Sequence, residues 1–296
     1  MKPAPFEFVA PDTLEAALEA LQQHGYEAKV LAGGQSLIPA MNFRVMQPAV
    51  LVDLNRIKRL QYIRPTDDGG LRIGGMTRHS AVEHAIIVAD RAPLLHETMP
   101  HIAHPQVRNR GTIGGSLVHA DPAAELPVIA VSLDARLKLQ RAGGARWVAA
   151  ADFFQFLFTT DIQAGEILTE IEIPPFPEDA GWAFVEFARR KGDYALAGVA
   201  AWLRLNPQGL LQDARLVFLN LGDVPVRPEK AEEALRGESP GVALFREAAR
   251  TAAGEIDPVG SVHASPDYQR HLARVLTERA LLLASQRAAS RHSNER

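Results

Sequence analysis

Apolar residues at Leu14, Ala17, Leu18 and Leu21 recur at i, i+3, i+4 and i+7, which predicts a helix running to about Gln23. Asp12 or Thr13 can cap its start, and Gly25 ends it. The run Ala28–Ala32 reads as a short strand that empties into Gly33-Gly34-Gln35-Ser36, and Val50–Leu54 reads as a second strand. Leu71, Ile73 and paired glycines between Asp67 and Gly75 predict a hairpin, followed by helices near Ser80–Val88 and over Pro93–Ile102. A second glycine-rich turn then falls at Gly111–Ser116. Leu126–Leu133 is apolar, Ala135–Gln140 alternates like a strand, and Ile167, Thr169, Ile171 and Ile173 mark one face of another.

The pattern breaks at Pro174-Pro175-Phe176-Pro177, because proline at this density fits neither a helix interior nor a central strand. The predicted division is therefore 1–175 and 176–287. Beyond the break, Trp182–Arg189, Ala197–Leu205 and Ala214–Leu221 read as three strands of an antiparallel sheet, and helical patterns follow at Lys230–Leu235, Val242–Ala253 and Tyr268–Leu283. The result is an α+β chain. Its polar end, 288–296, is expected to be a disordered tail.

Composition narrows the chemistry. The chain has 296 residues, 47% hydrophobic and 23% charged, a net charge of −3 and no cysteine. That length suggests about two domains with a sizeable core. Without cysteine the polypeptide forms no disulfide and supplies no thiolate to zinc or to an iron–sulfur cluster, so any redox chemistry must use an organic cofactor. The near-neutral charge and a pI of 6.4 argue against a general nucleic-acid binder. The first residues lack the pattern of a secretory signal, and no stretch approaches the ~20 apolar residues of a membrane span. The expected location is cytoplasmic.

The two glycine segments, Ala32-Gly33-Gly34-Gln35-Ser36 and Gly111-Thr112-Ile113-Gly114-Gly115-Ser116, admit two readings. Each alone can be a tight turn. Together, with their Ser and Thr hydroxyls and closely approachable N–H groups, they can form a two-part cradle for the phosphates of a dinucleotide. Neither has the spacing of a P-loop or of the Rossmann fingerprint.

Leu31–Arg44, reading LAGGQSLIPAMNFR, and Gly111–Pro127, reading GTIGGSLVHADPAAELP, resemble the two FAD-binding stretches of the medium subunit of molybdenum hydroxylases, the carbon monoxide dehydrogenase and xanthine dehydrogenase family. The resemblance extends from Pro3-Ala4-Pro5-Phe6 through His104–Asn109 and Glu166–Pro174 to Arg189–Ala195, reading RRKGDYA. It implies a vanillyl-alcohol-oxidase/PCMH-type FAD-binding domain of two α/β subdomains, about 1–55 and 56–175. A C-terminal domain with a three-stranded antiparallel sheet and a helical bundle would follow. It also implies a small iron–sulfur subunit carrying [2Fe–2S] clusters and a large molybdopterin subunit as partners, in a dimer of heterotrimers, with electrons leaving FAD for an external acceptor. A stand-alone FAD-dependent oxidase or reductase of the same fold is the alternative. No catalytic side chain is expected, since the flavin itself carries the electrons.

The resemblance assigns Ala32, Gly33, Gly34, Gln35 and Ser36 to the pyrophosphate, with Leu37 beside the flavin or in the core and Ile38 in the core. Thr112, Ile113, Gly114, Gly115 and Ser116 form the other half of the cradle. Gln35 at mid-loop and the lack of cysteine imply non-covalent FAD. Glu125 matches an acidic position reaching the ribityl or flavin region, the alternative being a cap or ion-pair role at the start of an apolar helix. Lys191 and Tyr194 either approach the isoalloxazine from the second domain or form a hairpin turn with Tyr194 packed on the sheet. Ile102 and Leu168 are flavin or adenine walls, or ordinary core. His101, His104, His119, Asp121 and Glu125 raise a metal-site reading, but no pair sits on a convincing metal-binding helix, so no metal is expected.

Overall fold

The computed structural model describes residues 1–294. Its first unit contains β1 (Glu7–Val9), α1 (Leu14–His24), β2 (Ala28–Leu31), α2 (Leu37–Asn42) and β3 (Val50–Asp53). The strands form a parallel sheet in the order β1-β3-β2, so the segments after β2 and β3 leave the same edge side by side. Thr13 caps α1, its hydroxyl accepting from the Ala16 N–H at 3.2 Å, and Gly25 ends it at φ +54°. Leu14, Ala17, Leu18 and Leu21 pack with Val50, Val52 and Leu54, and Met76 and Ile167 of the next unit close this small core.

The second unit is built on β4 (Ile63–Pro65), β5 (Leu71–Gly74), β6 (Arg136–Arg141), β7 (Gly144–Ala149) and β10 (Ile167–Ile173), antiparallel throughout in the order β4-β5-β10-β6-β7. Its helices are α3 (His79–His84), α4 (Ile86–Arg91), α5 (Pro93–Thr98), α6 (Pro105–Arg108), α7 (Ile113–His119), α8 (Glu125–Ser132) and α9 (Ala150–Phe153), and β8 (Phe154–Phe156) pairs with β9 (Thr159–Thr160). The helix expected over Ser80–Val88 is interrupted at Ala85, whose extended backbone (φ −80°, ψ 114°) separates α3 from α4. The helix expected over Pro93–Ile102 ends at Thr98 and tightens into a 3-10 turn, Met99–His101. β10 departs from strict alternation: a bulge between Leu168 and Glu170 leaves Leu168 and Thr169 both buried. The apolar run Leu126–Leu133 becomes α8, all of whose residues are buried.

The C-terminal unit contains β11 (Gly181–Ala188), β12 (Ala195–Leu205) and β13 (Leu211–Leu219) in an antiparallel sheet, then α10 (Glu229–Leu235), α11 (Val242–Gly254) and α12 (Pro266–Asn294). This sheet is covered on both faces. Ala200, Trp202, Val217 and Leu219 extend the core of the second unit, while Ala201, Leu203, Leu216 and Phe218 pack under the three helices. The Trp202 indole N–H donates to the Ser132 carbonyl at 2.9 Å across the unit boundary. At roughly 1.5–3 kcal/mol per fully buried large apolar side chain, this shared core holds the units together.

The disordered tail expected from Ala288 is instead helical to Asn294, and the remainder of that segment, 295–296, lies outside the described residues. The polar pattern concealed two anchors. Ala284 and Ala288 are buried where Gly181 allows α12 to touch the β11 backbone, and Arg287 and Arg291 lie 5.3 and 4.5 Å from the centre of the Trp182 ring.

Candidate functional site

The two glycine segments, some eighty positions apart, lie against each other. A Cβ on Gly33 would collide with the Arg110 carbonyl oxygen and lie 2.7 Å from the Gly111 Cα. A Cβ on Gly115 would lie 3.4 Å from the Ala32 side chain. The first segment leaves the carboxyl end of β2 and turns through Gly34 at φ +72°. Among the described residues, none of the backbone N–H groups from Gly33 to Leu37 donates to another backbone group. The Gln35 amide folds back onto the Gly33 carbonyl at 3.1 Å. Ile38, expected in the core, is 36% exposed because the first turn of α2 points it away from the sheet side, where Met41 is buried.

The second segment is not a turn. It enters α7, with Thr112 as the cap accepting from the Gly115 N–H at 3.1 Å. Further N–H groups are engaged as well: Gly111 donates to Val107 O at 2.7 Å, Ile113 to Thr77 O at 3.0 Å, Gly114 to Gly75 O at 2.9 Å and Ser116 to Thr112 O at 3.1 Å. Gly114 is buried where a Cβ would lie 2.5 Å from the Gly75 oxygen and 2.9 Å from its Cα. Beneath this segment, burial lowers His79 to about 4, so its imidazole is neutral. Only the half-buried Gly115 and Ser116 remain accessible on the second segment.

Two residues that the motif comparison left out join the segments. The Asn55 amide, just beyond β3, donates to the Ala32 carbonyl at 2.9 Å. Arg78 donates to Asn55 Oδ1 at 2.5 Å and to the Arg110 carbonyl, so one guanidinium links the residue that holds Ala32 to the residue just before the second segment. Burial and the neighbouring Arg110 charge lower its pKa from the ordinary arginine value. The signal for Asn55 was its place at the carboxyl end of a parallel strand beside β2, where open sheets place ligand-binding loops. Nothing local marked Arg78.

A second group of residues gathers at the contact between α5 and β11. Trp182, Phe184 and Glu186 alternate along one strand face, and Glu97 and His101 are one helical turn apart opposite them. Glu97 accepts from the Trp182 indole at 3.0 Å and the Phe184 N–H at 3.1 Å, and Arg287 reaches it at 2.6 Å. His101 Nδ1 and Glu186 Oε1 are 3.0 Å apart, and the imidazole meets the Phe184 ring edge-on at 5.1 Å. The hydrogen bond to Glu186 raises His101 above its ordinary value. Glu125, the first residue of α8, is buried; burial, then the Glu186 charge, push it up to about 7. Among the described residues it makes no ion pair, and its carboxyl is engaged by its own backbone N–H at the start of α8.

Lys191 is exposed on the β11–β12 turn, closed by the Asp193 N–H donating to Arg190 O at 3.1 Å. Gly192 at φ +84° lets that turn approach His104, whose ring a Cβ there would strike. Tyr194 is 69% exposed rather than packed on the sheet, and burial of its hydroxyl, with the Asp121 and Glu125 charges, raises its pKa. The structure thus brings Glu125, Tyr194 and His101 together, and separately joins the two glycine segments. Leu37 is half-buried, whereas Ile102 and Leu168 belong to the main core. No group of three metal-binding side chains occurs among the described residues, and His119 instead packs on Phe158 at 5.2 Å.

A parallel unit joined to an antiparallel one through paired glycine segments, with a third sheet packed on the second unit, matches in fold the flavin-binding subunits of one family. The chain belongs to that family: residues 4–176 match the FAD binding domain in molybdopterin dehydrogenase, and residues 182–284 match the CO dehydrogenase flavoprotein C-terminal domain. It is 41% identical over 97% of each chain to the 6-hydroxypseudooxynicotine dehydrogenase complex subunit alpha of Paenarthrobacter nicotinovorans. It is 35% identical to the carbon monoxide dehydrogenase medium chain of Hydrogenophaga pseudoflava, over 98% of this chain and 100% of that one. Among solved structures, carbon monoxide dehydrogenase from Hydrogenophaga pseudoflava superposes with a TM-score of 0.94 at 37% identity, covering 97% of this chain and 99% of that chain. Quinoline 2-oxidoreductase from Pseudomonas putida 86 superposes at 0.93 with 36% identity, covering 97% and 99%. The chain is an oxidoreductase subunit with an FAD-binding domain, related to medium subunits of molybdenum hydroxylases. No helix among the described residues is long and apolar enough to cross a membrane.

Proposed function

We propose that this chain binds FAD non-covalently along its two glycine segments and relays electrons from [2Fe–2S] clusters on a small partner subunit to an external acceptor, with molybdopterin on a large partner subunit. The observation that carries the reading is the first segment's row of N–H groups from Gly33 to Leu37 without backbone acceptors, beside the Arg78 guanidinium. This donor set suits a diphosphate: inward N–H groups bind phosphate oxygens, and the arginine balances their charge. The Ser36 and Ser116 hydroxyls can add donors. The FAD held there would supply the redox chemistry, while the chain binds and orients it. The Tyr194 ring, free of the sheet, can cover the flavin and exclude water from one face.

The parallel three-stranded unit and the antiparallel five-stranded unit support reading 1–55 and 56–175 as the two subdomains of a vanillyl-alcohol-oxidase/PCMH-type domain. Assembly with two partners as a dimer of heterotrimers is supported by relatives that are named as subunits or medium chains. Expression of this chain alone tests the binding claim. A yellow protein that releases FAD after acid or heat treatment supports it, and a colourless chain that fails to take up added FAD overturns it. Co-purification of one cysteine-rich chain and one large chain supports the relay, whereas substrate-dependent flavin reduction by the chain alone favours a self-sufficient oxidase.

A further inference from the structure

Every backbone carbonyl from Leu31 to Gly34 is held, although the N–H groups from Gly33 to Leu37 find no backbone acceptor. Leu31 O accepts from the Leu54 N–H at 3.0 Å, and Ala32 O from the Asn55 side-chain amide at 2.9 Å. Gly33 O accepts from the Gln35 amide at 3.1 Å, and Gly34 O from the Ile38 N–H at 3.2 Å. In a planar trans peptide the C=O and N–H point to opposite sides, so a bond that fixes one aims the other. Asn55 draws the Ala32 carbonyl towards the end of β3 and thereby turns the Gly33 N–H away from it.

The Asn55 amide is itself fixed at both ends. Its nitrogen also donates to Asp53 Oδ1, which accepts from the Asn55 backbone N–H at 3.0 Å as well. Its oxygen accepts from Arg78 Nη2 at 2.5 Å. A carboxylate and a carbonyl only accept and a guanidinium only donates, so these partners admit a single orientation of the amide. Arg78 is anchored in turn, because its backbone bridges Thr112: the His79 N–H donates to Gly111 O and the Ile113 N–H to Thr77 O, each at 3.0 Å. Its other guanidinium nitrogen donates to the Arg110 carbonyl. A line of hydrogen bonds thus runs from the backbone of the second segment, through Arg78 and Asn55, to one peptide of the first.

We propose that Asp53, Asn55 and Arg78 are positioning residues for the ligand: they set the tilt of the Ala32–Gly33 peptide and so aim the Gly33 N–H into the row that receives a diphosphate. This rests on the reading that FAD lies along that row. Asn55 holds the opposite edge of the peptide from that N–H, so it acts on the diphosphate through the backbone. Arg78 has a role beyond its charge, because holding Asn55 Oδ1 and Arg110 O at once takes two nitrogens of one planar fork. A lysine there supplies the charge and loses the fork. Asn55→Asp is the sharpest probe. It keeps the shape of the side chain and an oxygen for Arg78, but turns an acceptor towards Ala32 O and Asp53 in place of the donor.

The test uses the whole 296-residue chain. In its cofactor-free form, the NMR signals of the Ala32 carbonyl carbon and the Gly33 amide nitrogen should shift in Asn55→Asp and, by less, in Arg78→Lys. Signals unmoved in Asn55→Asp overturn the proposal. Affinities are then compared at urea concentrations far below each variant's unfolding midpoint, where a loss of stability alone leaves binding unchanged. Asn55→Asp should weaken FAD binding about tenfold or more, and ADP, a competitor that carries the diphosphate without the flavin, should lose a similar factor. Arg78→Lys should lose less than Asn55→Asp but measurably more than nothing. FAD binding by folded Asn55→Asp within about threefold of the unsubstituted chain overturns the proposal. So does a loss for FAD with ADP unchanged, which would place the damage away from the diphosphate. Unchanged binding in Arg78→Lys overturns the part given to its fork. If Asn55→Asp does not fold, Asn55→Ala removes the same bonds without adding a charge, and the same comparisons decide. Failure of the unsubstituted chain to bind FAD overturns the binding reading instead, and the NMR arm still decides whether Asn55 sets the peptide.

Discussion

The two glycine segments look alike in sequence and do opposite things in the fold. The first leaves its N–H groups open and lies half-exposed beyond β2. The second has its N–H groups engaged by Thr77, Gly75 and Thr112, and its central glycine is enclosed by backbone. A glycine can thus be required because a ligand must come close, or because another strand already has. Gly33 belongs to the joint as well, pressed against the Arg110–Gly111 backbone, so what separates the segments is that only the first leaves a row of N–H groups open to receive a ligand.

The sharpest way to break this contrast is a paired substitution. Gly114→Val should destabilise the cofactor-free chain by about 3 kcal/mol or more, since the new side chain meets the Gly75 backbone, which has no room to yield. Gly33→Val should also destabilise the chain, since its side chain meets the Arg110 carbonyl and the Gly111 Cα, and should abolish FAD uptake as well. Urea denaturation and flavin content read the two effects, and normal FAD uptake by a folded Gly33→Val chain would remove the distinction.

A smaller effect follows from Glu125, which the second segment leads into. Its native pKa of about 7 lies above the ordinary 4.5, so the folded chain binds the proton more tightly than the unfolded one. Stability must therefore fall as pH rises from about 4.5 to 7, and the penalty is fully present above 7. Glu125→Gln should gain relative to the unsubstituted chain across that window, by a few kcal/mol at pH 8. Matched melting curves at pH 5 and 8 check the sign.

The smallest effects discriminate most finely between cap and donor. Thr112→Ala should cost about 0.5–2 kcal/mol of stability through loss of the α7 cap, and Thr112→Ser should recover most of it. Ser36→Ala should leave stability within about 0.5 kcal/mol and weaken FAD binding several-fold. Denaturant midpoints and flavin titration read the two apart; a stability loss in Ser36→Ala would mean that Ser36 serves the joint as well as the ligand.

The legible parts of this fold were those where one local pattern decides the outcome. The Leu14–Leu21 spacing determined α1 down to its cap and its terminating glycine. The apolar runs over β12 and β13 were readable as strands of an antiparallel sheet, although not that both faces of that sheet are covered. Where partners decide, the sequence was silent. β7 carries the half-exposed pattern GARWVA, with no clean alternation, and is a strand because it pairs with β6. Ala85 breaks a helix without glycine or proline. In the candidate site, the glycine motifs were readable because close backbone approach restricts residue type. Arg78 was not, since its role depends on Asn55 and Arg110 arriving from elsewhere. The His101–Glu186 pair spans 85 positions and had no sequence spacing by which to be seen.

The knot of Glu97, Trp182 and Arg287 sets the mechanics of the hairpin that carries Tyr194. It clamps the root of β11 to α5, and Arg291 adds a bond to the Glu178 carbonyl just before that root. Beyond that root β11 and β12 stay packed between the two cores, with Glu186 bonded to His101 and the Leu196 carbonyl to Gln269, and the turn at Gly192 meets the Ala103 carbonyl and the His104 ring. A beam held this way cannot swing as a body. Any opening that admits FAD must bend the tip alone, so entry of the flavin should be governed by a few residues around Gly192 rather than by separation of the domains.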